Sequence, residues 1–210
     1  MANDPGVNYW NWLAPRYARM VLRDEAGFAR SLAICAPHVT GRDVLELGAG
    51  TGTTALRLAP LSRNYLATDY ADRMIGIAKV RLDAAPVAQL RLKRASIASL
   101  LGTDGPFDTV LAFNLLHLLP DLEDALRAIH QVLRPGGVFI SKTVCLRAAP
   151  PLIRLALPFL RFVRIAPRMG ALSEADLRAA ISNAGFEIRA VEYHASRGAD
   201  FRPVIRAQRG

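Results

Sequence analysis

Residues 43–58, DVLELGAGTGTTALRL, constrain the chain more than any other stretch. A run apolar on both faces stops at Gly48, Gly50 and Gly52, and a helix-like pattern begins directly after them. Strands apolar on both sides belong to the centre of parallel sheets, where helices cover both faces. Glycines at the turn from such a strand into a helix let the backbone bend sharply and let a ligand come close to the main chain. The segment therefore predicts an α/β fold and a ligand over the bend.

The rest of the chain repeats the alternation. Residues 24–37 read as a helix, NYLATD (64–69) as a second strand, ADRMIGIAKVRLDAA as a helix, LRLKRAS as a third strand and FDTVLAFNLL (107–116) as a fourth. DLEDALRAIHQVLRPGG predicts a helix stopped abruptly at Pro135-Gly136-Gly137, and VFISKTV a fifth strand. SEADLRAAISNAG, FEIRAVEY, the polar turn HASRGAD and FRPVIRA complete the tail as helix, strand, turn and strand. Strands alternating with helices imply crossover units. The short last connection implies an antiparallel hairpin at one edge. The expected fold is α/β: a Rossmann-like, seven-stranded, mostly parallel sheet with helices on both faces and a C-terminal antiparallel hairpin strand. At 210 residues one domain is expected, with an N-terminal lid helix over about residues 8–37 and a substrate-cap insertion over about 146–171.

In sheets of this kind ligands bind beyond the carboxyl ends of the strands. The dinucleotide fingerprint is GxGxxG, but the register here is GxGxG, and Thr53 stands where the third dinucleotide glycine belongs. A ligand without a pyrophosphate fits better. Asp69 closes the second strand about 20 residues further on, where a carboxylate can accept both hydroxyls of a ribose.

VLELGAGTG, ATDYADRMIGIAK, FDTVLAFNLLHLL and VLRPGGVFIS, in that order, make the chain resemble the class I S-adenosylmethionine-dependent methyltransferases. Within that class it is most similar to the small bacterial enzymes of ubiquinone biosynthesis and phospholipid N-methylation, which share LRPGG and the late LSEADLRAAISNAGFEI segment. The resemblance implies that S-adenosyl-L-methionine is the cofactor. Gly48, Ala49 and Gly50 would pass under its methionine part and ribose, and Asp69 would hold the ribose. Tyr70 and Met74 would pack on the adenine, Ser96 and Ile97 would edge it, and Asn114 with Leu115 would line the methionine side. The family usually has an acid where Ser96 stands, so a backbone carbonyl or the Ser96 hydroxyl would replace that contact. Glu46 is read as a supporting carboxylate near the loop or as a structural residue. Tyr17, in APRYAR, folds over the cofactor or anchors the N-terminal helix together with Trp10 and Trp12.

Methyl transfer from a sulfonium is an in-line displacement that needs alignment and desolvation more than covalent help. Tyr17 and His117 are the candidate catalytic residues. His117, just past the fourth strand, serves either as a base or as a packing and orienting residue. Asn114 is not followed by Pro-Pro-aromatic, which disfavours methylation of nucleic-acid bases or glutamine amides, and no carboxylate cluster points to a metal. Cys35 and Cys145 have no metal-ligand spacing and read as packed thiols.

The net charge is +9, and residues 146–210 hold eleven arginines against five acids. That excess suggests an anionic partner for the last third. In APPLIRLALPFLRFVRIAPRMG, Arg154, Arg161, Arg164 and Arg168 fall within roughly 80° of a helical wheel. The segment suits an anionic membrane surface, a cap over the substrate pocket, or both. Pro158 and Pro167 favour two short helices over one. The expected acceptor is a small-molecule or lipid substrate, with a phospholipid amine headgroup (phosphatidylethanolamine) ahead of an isoprenoid quinone precursor. A dinucleotide-dependent oxidoreductase is the alternative from another class, opposed by Thr53 and by the lack of a Tyr/Lys or His/Asp set. A nucleic-acid-binding protein is disfavoured by the lack of a recognition module. The start shows no secretory-signal layout and no apolar run reaches the roughly 18 residues a bilayer span needs. A monomer is expected in the cytoplasm, peripheral at the inner membrane surface if the arginine face binds lipid.

Overall fold

The computed structural model describes residues 5–101, 104–149, 172–196, 198 and 200–210. Its seven strands are β1 (Asp43–Leu47), β2 (Asn64–Asp69), β3 (Leu90–Arg94), β4 (Phe107–Phe113), β5 (Leu133–Lys142), β6 (Phe186–Glu192) and β7 (Val204–Arg209). They form one sheet in the order β3-β2-β1-β4-β5-β7-β6. β1 to β5 pair in parallel, and β7 alone runs antiparallel, between β5 and the edge strand β6. This is the expected seven-stranded, mostly parallel sheet with a C-terminal hairpin.

The strand order reverses at β1, so the bend after β1 opens into a crevice at the carboxyl edge. Both faces of the central strands are apolar because both are covered. Leu45, Leu47, Val110 and Phe139 pack under α5 (Leu122–Val132) and α6 (Glu174–Asn183). Val44, Tyr65, Leu111 and Ile140 pack under α2 (Glu25–Val39) and α3 (Thr53–Leu58). Cys35 and Cys145 are free thiols inside these layers.

Three expectations are corrected. The opening region is two helices, α1 (Pro5–Arg19) and α2, rather than one over 8–37. The first ends at Arg19, and Asp24 starts the second by accepting from the Gly27 amide at 2.8 Å. Nor is Pro135-Gly136-Gly137 a stop between helix and strand: α5 ends at Val132 and β5 begins at Leu133. The Pro-Gly-Gly lies inside a bulge of β5, where the pairing jumps from Phe107↔Leu133 to Thr109↔Val138. Arg134 pins that bulge by reaching Asp108 at 2.5 Å and Asp43 at 3.3 Å. A Cβ on Gly137 would stand 2.8 Å from the Arg134 carbonyl oxygen, so only glycine fits there. β7 also starts later than FRPVIRA suggests, because Pro203 has no amide to give a ladder.

Candidate active site

Three glycines with positive φ make the bend, and each has a different reason to be there. A Cβ at Gly52 would lie 3.2 Å from Ala78 of α4 (Asp72–Ala84), and one at Gly48 would lie 2.8 Å from Leu115. Those two glycines serve packing. Above Gly50 the nearest atoms are Tyr17 Cε1 at 3.8 Å and Met74 Sδ at 4.0 Å, measured from where a Cβ would stand. The main chain at Gly50 is therefore open to a ligand, between Tyr17 on one side and Met74 on the other.

Asp69, the last residue of β2, is 8% exposed and points into this space. Its Oδ2 accepts from the Gly50 amide at 3.0 Å and its Oδ1 from the Ala71 amide at 2.9 Å. Burial raises its pKa, and the amides of Ala71, Gly50 and Tyr70 work against that shift. Each carboxylate oxygen offers two lone pairs. The Gly50 and Ala71 amides take one lone pair on each oxygen and the Tyr70 amide acts on the same group, so the carboxylate is fixed in place and offers its remaining accepting capacity to adjacent hydroxyls, as on a ribose.

Glu46 lies deeper than a loop-side carboxylate would. It is 2% exposed, and its Oε2 accepts from the Tyr65 hydroxyl at 2.8 Å. Burial, with the negative charge of Asp69 adding to it, pushes its pKa up to about 7. His117 is 7% exposed on a short 3-10 turn, Leu116–Leu118, and its Nδ1 has no hydrogen-bond partner among the described residues. Burial lowers its pKa to about 4, so the imidazole is neutral near pH 7.

Tyr17 stands edge-on to Trp10, with ring centroids 6.3 Å apart, and burial of its hydroxyl followed by the charges of Asp69 and Glu46 raises its pKa. Tyr17 and Met74 flank the bend, while Tyr70, Ser96, Ile97, Asn114 and Leu115 line the same cavity of about 2220 Å³. Ser96 is exposed, and its carbonyl accepts from the Ser99 hydroxyl at 2.7 Å. Asn114 adopts φ +54°, a conformation Asn tolerates better than most residues, and its amide donates to the Lys142 carbonyl at 2.7 Å. All thirteen residues predicted for the cofactor or for catalysis thus border one space. Arg154, Arg161, Arg164 and Arg168 lie outside the described residues.

Sequence reading missed Arg81. From α4 its guanidinium donates to the Thr51 carbonyl at 3.1 Å, the Thr51 hydroxyl at 2.9 Å and the Ala18 carbonyl at 2.9 Å. It clamps the end of α1 to the glycine bend, which holds Tyr17 over Gly50. An arginine 30 residues beyond the bend carries no local pattern announcing this.

A profile of the methyltransferase domain matches residues 45–139, the span from β1 into β5 that carries the bend, Asp69 and His117. The chain is 30% identical over 142 residues to a "probable S-adenosylmethionine-dependent methyltransferase" of Mycolicibacterium smegmatis, covering 66% of this chain and 48% of that protein. It is 27% identical over 142 residues to the ubiquinone/menaquinone biosynthesis C-methyltransferase UbiE of Geotalea uraniireducens, covering 64% of this chain and 58% of that one. The chain thus spans about half the length of these curated relatives. In fold, the chain superposes on a SAM-dependent methyltransferase of Thermotoga maritima with a TM-score of 0.73 at 20% identity, covering 97% of this chain and 99% of that one.

Proposed function

We propose that this protein transfers a methyl group from S-adenosyl-L-methionine to a small or lipid-linked acceptor by direct in-line displacement. The observation that carries the reading is Asp69, held by two backbone amides beside the open main chain of Gly50. The ligand, when bound, supplies both the methyl group and its leaving group. The protein then has three tasks. Asp69 accepts the two sugar hydroxyls, with Met74 and Ile97 as apolar walls for the base. Tyr17, held down through Arg81, closes the bend from above and excludes water. The edge formed by Asn114, Leu115 and His117 positions the acceptor.

His117 serves this scheme better as an orienting acceptor than as a base. A pKa near 4 gives it little drive to take a proton at neutral pH.

For the acceptor, the phospholipid amine headgroup rests on the cationic amphipathic pattern of residues 146–171. The quinone-precursor reading has its own support in the similarity to a quinone C-methyltransferase and in Phe28, Phe113 and Phe201 on the cavity wall. The test is incubation of the purified chain with methyl-labelled S-adenosylmethionine and, separately, phosphatidylethanolamine vesicles, a quinone precursor and RNA. Label in lipid or quinone and none in RNA is expected. Label in none of the three, from protein that binds S-adenosylhomocysteine, would overturn the acceptor assignment.

A further inference from the structure

The cavity does not end at the glycine bend. It continues over the carboxyl end of β5, where Lys142 and Arg202 line it together with Phe28, Phe113 and Phe201. In-register pairing of Lys142 with Val204 brings Arg202, two residues earlier, to the same end of the sheet. We infer that this end is a subsite for an anionic oxygen group, carboxylate or phosphate, carried by the methyl acceptor and held by Lys142 and Arg202.

Donors exceed acceptors here. Lys142 is 8% exposed, and among the described residues its ammonium makes one hydrogen bond, to the Ser31 hydroxyl at 3.0 Å. Ser31 is itself committed to the Gly27 carbonyl at 2.9 Å and to His194 Nδ1 at 2.9 Å. The nearby carboxylates, Asp24 and Asp200, act on Lys142 through space only. Both are occupied elsewhere. Asp24 accepts from Gly27, from the Ser196 amide and from its hydroxyl. Asp200 accepts from the amides of His194, Ala195 and Arg202 and from Arg202 Nε. Arg202 keeps both terminal nitrogens free of hydrogen bonds among the described residues. A buried ammonium with one neutral partner is costly, and an oxyanion bridging it to a guanidinium offsets that cost through charge-assisted bonds.

Strands lie about 4.8 Å apart, so β5 stands two spacings, roughly 10 Å, from the bend after β1. An acceptor anchored over β5 by its oxyanion would present an atom a few bonds away to the space over β4, beside Asn114. The three phenylalanines suit an apolar or aromatic body between the two. Carboxylate on an aromatic acid and phosphate in a lipid headgroup share this chemistry.

The name "acceptor" rests on the methyl-transfer reading; the anion site does not. The test is calorimetric titration of the full chain, saturated with S-adenosylhomocysteine and at constant ionic strength, with benzoate and with dihexanoyl phosphatidylethanolamine. Phenol and ethanolamine serve as counterparts lacking the oxyanion. At least one anionic probe is expected to bind tenfold or more tightly than its counterpart, and which one does so identifies the source. Lys142→Met should abolish that preference while leaving S-adenosylhomocysteine affinity within about twofold. Arg202→Gln, at a partly exposed position, should reduce it severalfold and covers the case in which Lys142→Met fails to fold. No preference in the wild type, or one that survives both substitutions, would overturn the subsite. Failure of S-adenosylhomocysteine to bind, with the anion preference intact in its absence, would instead overturn the methyl-transfer reading alone.

Discussion

Two buried titratable side chains oppose each other across the site, and their opposition is measurable. His117 has a folded pKa near 4 against 6.5, so it favours the folded state above pH 6.5 and loses that contribution as pH falls toward 4. Glu46 is the reverse: its pKa is raised from 4.5 to about 7, so its contribution is full below pH 4.5 and is lost as pH rises through 7. Each shift corresponds to about 3 kcal/mol. The two slopes nearly cancel between pH 4.5 and 6.5. Glu46→Gln, which keeps an acceptor for the Tyr65 hydroxyl, should make stability rise with pH across that window. His117→Phe should make it fall, and denaturant unfolding at pH 4.5 and 6.5 reads both signs. Equal pH dependence in the wild type and both variants would refute the assignment. From sequence alone these two positions were visible only as candidates, because the depth that sets their charge comes from packing on Tyr65 and around the 3-10 turn.

At the scale of elements, β1, β2 and the bend were legible because their signals are local: an apolar run, glycines where φ turns positive, and Asp69 at the strand end. The start of β5 was not. Pro135-Gly136-Gly137 has the chemistry of a stop, and only the distant pair Asp43 and Asp108, gripping Arg134, turns it into a bulge. Lys142 and Arg81 escaped for the same reason, since their partners lie far away in sequence. Arg81 joins α1 to the bend, and Arg81→Met should free α1 while sparing the sheet. Hydrogen exchange is the appropriate readout. Amides of residues 5–19 should exchange at least tenfold faster, those of β1, β4 and β5 should be unchanged, and S-adenosylhomocysteine should bind severalfold more weakly. Unaltered protection of α1 would mean that the packing of Trp10, Ala14 and Met74, with the Arg73 amide on Asn11 Oδ1, holds it without Arg81.

The whole molecule carries +9, with six of those charges in the last third. Among the described residues no helix is long and apolar enough to cross a membrane. If the arginine face of residues 154–168 meets anionic lipid, each arginine contributes about 1 kcal/mol at the surface, and salt screens it. Sedimentation with vesicles rich in anionic lipid should then fall steeply between 50 and 300 mM salt. Replacing Arg154, Arg161, Arg164 and Arg168 by Gln should weaken it by two to three orders of magnitude; binding indifferent to salt and to these changes would exclude a surface role. The larger claim concerns the ligand that gives the fold its purpose, an adenosyl compound laid across Gly48 to Gly50 with its sugar on Asp69. Its most direct test is a calorimetric cycle with wild type and Asp69→Asn, each titrated with S-adenosylhomocysteine and with its 2′,3′-dideoxy analogue. Hydrogen bonds to a charged group are worth about 1.5–3 kcal/mol, so losing the hydroxyls should cost the wild type roughly 10- to 100-fold in affinity and the variant less than about threefold. An equal loss in both proteins would place the sugar elsewhere and contradict the account.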